Sequence, residues 1–186
     1  MTTIQQKTLS YQQTTSLKEE TNIEIVSYAG GEYCYSIAIE KPTKRKWFFT
    51  APDWREACNG LNLEGKCKNP SCNAYKKLVI HQWGFKNSGL FSYHDNSHKC
   101  KYPLYNKHLK PITCGFANCE WKITGSKRDD KEEPPKKVNS GWQIALDNGY
   151  TTFEDNLVDL AIWDNLQIEV KTLSKKRAQT QAESYL

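Results

Sequence analysis

Residues 23–50 read as β structure, opening at 23–28 on a run that alternates with the two-residue period of half-buried strands. Ile23, Ile25 and Ser27 fall on one side of the first run, and Glu24, Val26 and Tyr28 on the other. Gly30-Gly31 marks a turn, residues 33–39 read as a second strand, and residues 47–50 as a third after a basic connection at 41–46. Residues 52–58 suggest one or two helical turns. Strands are expected at 78–83, 90–93, 120–124 and 142–146, with turns at 84–89 and 147–149 and a loop or short helix at 94–101. Phe153, Leu157, Leu160, Ala161 and Asp164 recur at helical spacing, so 153–165 is expected to be helical. Residues 166–173 alternate again and close the fold as a strand.

This pattern divides the chain. Residues 1–21 have low hydrophobicity and read as a flexible lead-in. Residues 22–59 form a β-rich segment, and 60–125 contain most of the cysteines. Residues 126–140, with mixed charges and Pro134-Pro135, read as a charged linker. Residues 141–173 form a C-terminal α/β segment packing on the rest, and 174–186 a polar tail. No stretch approaches the roughly 20 apolar residues of a membrane span. The first twenty residues carry no apolar run of the kind a secretory signal requires.

Composition changes the picture in two places. Seven cysteines, an odd number, favour reduced metal-binding thiols in an intracellular setting (cytoplasm or nucleus) over a disulfide framework. Charge is uneven. Residues 65–128 hold eleven Lys and one Arg against Asp95 and Glu120, a net +10, which leaves −5 for the rest. That field suits an anionic partner such as nucleic acid, and equally a solvated lysine-rich surface. Trp83, Phe85, Tyr93 and Tyr105 are candidates to stack on bases.

The candidate chemistry lies in two knuckles of equal spacing, Cys67-Lys-Asn-Pro-Ser-Cys72 and Cys114-Gly-Phe-Ala-Asn-Cys119. Four thiolates in two tight turns match the needs of a closed tetrahedral zinc site, with Cys67, Cys72, Cys114 and Cys119 as ligands. Such a site leaves no position for water, so the zinc would be structural. His94, His98 and Cys100 offer three more donors without an obvious fourth, His108 or Cys58 having to be recruited. His81 reads as a core residue. No nucleophile elbow, P-loop, zinc-protease helix or dinucleotide fingerprint occurs, and no catalytic residues are assigned.

Gly60-Leu-Asn-Leu-Glu-Gly-Lys-Cys-Lys-Asn-Pro-Ser-Cys-Asn-Ala-Tyr75 and Cys114-Gly-Phe-Ala-Asn-Cys-Glu-Trp121 resemble a RING/U-box-related zinc-finger family. Its pattern has C-P-x-C-N between these stretches. Here that position reads Tyr102-Pro103-Leu104-Tyr105-Asn106, with tyrosine at both ligand places. The resemblance implies an α+β fold: a small zinc-stabilised RING/U-box-like or zinc-ribbon-like module with a flanking β-rich frame. It also implies a protein-interaction role, recruiting a ubiquitin-conjugating enzyme as a ubiquitin ligase or ligase subunit. Leu61, Leu63, Pro103 and Leu104 would be the contact residues. A zinc-ribbon-like nucleic-acid binder and a non-catalytic structural subunit are the alternative expectations.

Overall fold

A computed structural model describes residues 7–8, 34–35, 42–47, 50–128, 133–153 and 162–174. Among them, β structure dominates. The strands are β1 (Lys7–Thr8), β2 (Cys34–Tyr35), β3 (Pro42–Arg45), β4 (Glu56–Ala57), β5 (Gly60–Lys66), β6 (Leu78–Gly84) and β7 (Leu90–Ser92). After the short helix α1 (Tyr93–Asn96) come β8 (Thr113–Ala117), β9 (Cys119–Arg128), β10 (Lys136–Asn139), β11 (Gln143–Ala145), β12 (Tyr150–Phe153) and β13 (Ile162–Thr172).

The strands form two antiparallel sheets and a small β1–β4 pair. The first sheet runs β3-β12-β8-β5-β6. In the second, β13 pairs with β9, β2 and β7, while β10 and β11 pair along β9. Strands from outside residues 60–125 thus complete both sheets.

Strand alternation explains the layers. On β5, Leu61 and Leu63 have no exposed surface and face the second sheet with Val79 and Trp83 of β6. From β9 and β13 come Trp121, Ile123, Leu166, Ile168 and Val170. Phe116 and Trp121 stack at 4.5 Å across the interface, and Phe153 meets both edge-on. Each fully buried large apolar side chain contributes on the order of 1.5–3 kcal/mol.

The opposite face of β5 is polar yet buried. Asn62 Oδ1 accepts from the Cys58 amide at 2.8 Å, and Asn62 Nδ2 donates to the Cys58 carbonyl at 2.8 Å. The Glu64 carboxylate receives Arg55 Nη1 at 2.6 Å and the Tyr150 hydroxyl at 2.8 Å. The segment from Asp53 to Ala57 folds over this face and supplies Arg55. Two glycines permit the close packing: a Cβ at Gly65 would run into the Lys110 carbonyl and Leu109, and one at Gly115 into the Tyr150 ring.

The α+β expectation is overturned. The described residues are mostly antiparallel sheet with one α-helix of four residues, and no zinc-stabilised RING/U-box-like or zinc-ribbon-like group is seen in them. The helical reading of 153–165 fails at both described ends: Tyr150–Phe153 and Ile162–Thr172 are strands. Pairing to β8 and β9 overrides the helical spacing there. Residues 154–161 lie outside the described residues, as do the expected strand at 23–28 and most of 33–39. The basic connection at 41–46 holds β3, whereas Lys46, Trp47 and Thr50 are not in a strand. Within the expected linker, Lys136–Asn139 pairs with β9. The strands expected at 78–83, 90–93, 120–124 and 142–146 all have a counterpart. Among the described residues no helix is long and apolar enough to cross a membrane.

Candidate functional site at the first knuckle

The first knuckle follows the Lys66 end of β5, and the second runs from the middle of β5 to its Gly60 end. Leu63 pairs with Cys114, and Gly60 pairs with Ala117, two residues before Cys119. Cys67 lies four residues beyond Leu63, which is roughly 13 Å of extended chain from Cys114's partner, and seven beyond Gly60, roughly 23 Å. Thiolates on one zinc ion, each about 2.3 Å from the metal, lie less than about 5 Å apart. One ion shared by Cys67, Cys72, Cys114 and Cys119 therefore does not fit this register. No group of three or more His, Cys, Asp or Glu side chains is arranged for a metal among the described residues.

The second knuckle is a corner between sheets. β8 ends at Ala117, Asn118 takes a left-handed step (φ 46°), and Cys119 opens β9 in the other sheet. Cys114 and Cys119 have no exposed surface and sit in the core between the sheets. Burial raises the Cys114 thiol well above its ordinary range and the Cys119 thiol to about 12, so both are uncharged.

The first knuckle is an exposed loop closed by its own backbone. The Cys67 amide donates to the Lys77 carbonyl (3.0 Å), and the Cys67 carbonyl accepts from Lys76 (2.8 Å). Within the loop, the Cys72 amide donates to Asn69 O (3.1 Å), and the Tyr75 amide to Cys72 O (2.9 Å). Cys67 is buried and Cys72 half-buried. Cys72 Sγ accepts from the Ala74 amide at 3.4 Å, and Cys67 Sγ lies 3.3 Å from the Tyr105 hydroxyl. Tyr102 stacks on Tyr105 at 4.8 Å and donates from its hydroxyl to the Lys66 carbonyl at 2.5 Å. Burial, then the hydrogen bond to Cys67, pushes the Tyr105 phenol far above its ordinary range. The fold thus brings the tyrosine-bearing 102–106 turn to the first knuckle rather than the second.

Lysines surround this end. Lys66, Lys68, Lys76, Lys77, Lys101, Lys107 and Lys110 are all exposed. Backbone contacts tie them together: Lys101 pairs with His108, Tyr102 donates to the Lys107 carbonyl, and Lys110 lies against Gly65. Asp95 is the sole acidic residue in the sequence from Gly65 to Cys119. Tyr75, 39% exposed, has Lys76 Nζ 5.6 Å from its ring centre.

Other expected residues are scattered. Cys100 is buried in the core, its thiol raised to about 12 by burial, whereas His94 and His98 are exposed. Cys100 therefore does not join them as a ligand set. His81 is half-buried. Its Nδ1 lies within hydrogen-bond distance of the Lys101 backbone, and burial lowers its affinity for a proton. Leu61 and Leu63 have no surface to offer a partner, while Pro103 and Leu104 are exposed on the 102–106 turn. Of the stacking candidates, Trp83 and Tyr93 are buried, and Phe85 and Tyr105 are half-buried. Tyr75 was not among those candidates. The signal for it is local: a tyrosine followed by Lys76-Lys77, three residues after a knuckle cysteine.

Comparison with known proteins gives no relative: no family model, curated protein or solved structure matches the chain.

Proposed function

We propose that the chain is a non-enzymatic binding module that takes single-stranded nucleic acid at the first-knuckle end of the five-stranded sheet. The observation that carries this reading is the seven exposed lysines borne by β5's end, the first-knuckle loop and the 101–110 segment, together with the exposed Tyr75, which has Lys76 Nζ 5.6 Å from its ring centre. Lysines supply a diffuse positive field that attracts phosphates without demanding one geometry. The exposed ring of Tyr75 offers a face on which a base can stack. The absence of arginine from the sequence between residues 65 and 119 argues for binding with little sequence preference.

The test is fluorescence anisotropy of a labelled oligonucleotide across a salt series. Affinity is expected to fall steeply with salt, with a log–log slope of about 0.7 per phosphate neutralised. The double variant Lys68→Glu/Lys107→Glu is expected to reduce that slope by about one to two. Tyr75→Ala is expected to weaken binding by about 1–3 kcal/mol and leave the slope unchanged. Absent binding at low salt, or binding indifferent to salt, overturns the reading.

A second reading keeps the ubiquitin-conjugating-enzyme partner. Leu104, 44% exposed at the tip of a turn next to Pro103, is the observation that favours it. Ubiquitin discharge from a panel of conjugating enzymes, with Leu104→Ala beside the native chain, tests it. No stimulation across the panel sinks it.

A further inference from the structure

Cys67 and Cys72 supply two sulfur donors, half of what a tetrahedral structural zinc requires. The residues that approach these sulfurs from elsewhere in the chain are not ligands of the usual kind. Tyr105 places its hydroxyl 3.3 Å from Cys67 Sγ, and its ring is covered by Tyr102 at 4.8 Å and an interplanar angle of 21°. Tyr102 is anchored in turn by its hydroxyl on Lys66 O, one residue before Cys67. The turn carrying both tyrosines is itself closed: the Asn106 amide donates to Tyr102 O at 2.9 Å, with Asn106 at φ 56°. Every link a metal would make is supplied another way. The loop's shape is fixed by backbone hydrogen bonds, its attachment to the 102–106 turn by two hydroxyls whose rings stack on each other, and Cys72 Sγ by the Ala74 amide. A stacked aromatic pair also fills space that would otherwise be open to a metal and its ligands.

We propose that the first knuckle is closed by the Tyr102–Tyr105 pair in place of a metal ion, with residues 102 and 105 occupying the places of the two missing ligands. The proposal does not depend on nucleic-acid binding. It makes the fold at this end independent of zinc, and it explains how a two-cysteine loop keeps a fixed shape.

The experiment uses the full reduced chain, its Cys67→Ser variant, and the double variant Tyr102→Cys/Tyr105→Cys. Metal content is measured by mass spectrometry, Co²⁺ uptake by absorbance, and folding by circular dichroism. The native chain and Cys67→Ser are expected to carry equal zinc, and neither should show a thiolate–cobalt band. Removing metal with a strong chelator should shift their melting points equally. The double variant puts two further thiols on the turn that faces Cys67. It is expected to bind one Co²⁺ per chain with a tetrahedral thiolate spectrum, and to lose it when Cys67→Ser is added. One zinc per native chain that disappears in Cys67→Ser overturns the proposal. A double variant that is folded yet takes up no cobalt overturns the placement of 102 and 105 at ligand positions.

Discussion

The two knuckles share a spacing and almost nothing else. Cys67 and Cys72 bracket an exposed loop rimmed by lysines and capped by two tyrosines. Cys114 and Cys119 bracket the last residues of one strand and the first of another, wholly buried between sheets. The same C-x₄-C string is a hydrogen-bonded turn in one context and a sheet-to-sheet corner in the other. Neighbours decide which. Lys68, Asn69, Pro70 and Ser71 offer the first loop no apolar face. Phe116 in the second packs on Trp121 and Phe153, and the strand it belongs to is paired on both sides. Spacing between cysteines thus carries less information than the residues it encloses.

A charge placed in each knuckle separates them most sharply. Cys114→Asp and Cys119→Asp put a lone carboxylate in the inter-sheet core, at an expected cost of about 3–5 kcal/mol or loss of folding. Cys72→Asp, half-exposed and next to the Ala74 amide, is expected to cost less than about 1 kcal/mol. Urea unfolding followed by tryptophan fluorescence measures both. Equal costs would erase the distinction.

The strand joining the knuckles gives the next effect. Glu64→Ala removes the carboxylate beside Arg55 and Tyr150 in a buried site, and about 3–5 kcal/mol of stability should go with it. Tyr150→Phe removes one hydrogen bond to that carboxylate and is expected to cost about 1–2 kcal/mol. If the two variants unfold at the same urea concentration, the Arg55–Glu64 pair contributes nothing beyond the Tyr150 contact.

Alkaline pH gives a graded effect that accumulates thiol by thiol. Folding raises the thiols of Cys100, Cys114 and Cys119 above the value of about 9 they have when unfolded. Their contribution is therefore fully present below pH 9. As pH rises from 9 toward 12 the unfolded chain releases these protons first, and stability falls by up to about 1.4 kcal/mol per pH unit per thiol. Cys119→Ala should flatten the alkaline decline by about one thiol's share. A decline of unchanged slope would place the alkaline sensitivity elsewhere.

Much of the strand content was legible in the sequence. The strands expected at 78–83, 120–124 and 166–173 are β6, β9 and β13, the last from its clean alternation. The charge map was legible too: nine lysines and one acidic residue between 65 and 119 need no coordinates to be seen. The burial of both faces of residues 60–66 was hidden because Asn62 and Glu64 look solvent-facing. They are buried because Cys58, Arg55 and Tyr150, the last 86 positions away from Glu64, satisfy them. The candidate site divides the same way. The cysteines, the tyrosine substitutions and the lysines are visible in the string, and their mutual positions are not.

The amino-acid sequence by itself determined the local terms: the alternating strands, the left-handed step that Asn118 accommodates, and the positive field of the middle segment. Those depend on nearest neighbours and on side-chain charge. Tertiary structure alone decided that β5 holds the two knuckles apart, that Leu61 and Leu63 are core rather than contact surface, and that Tyr105 meets Cys67. These are consequences of strand register, which is set by pairing between residues far apart in the chain, and a shift of register would move every one of them.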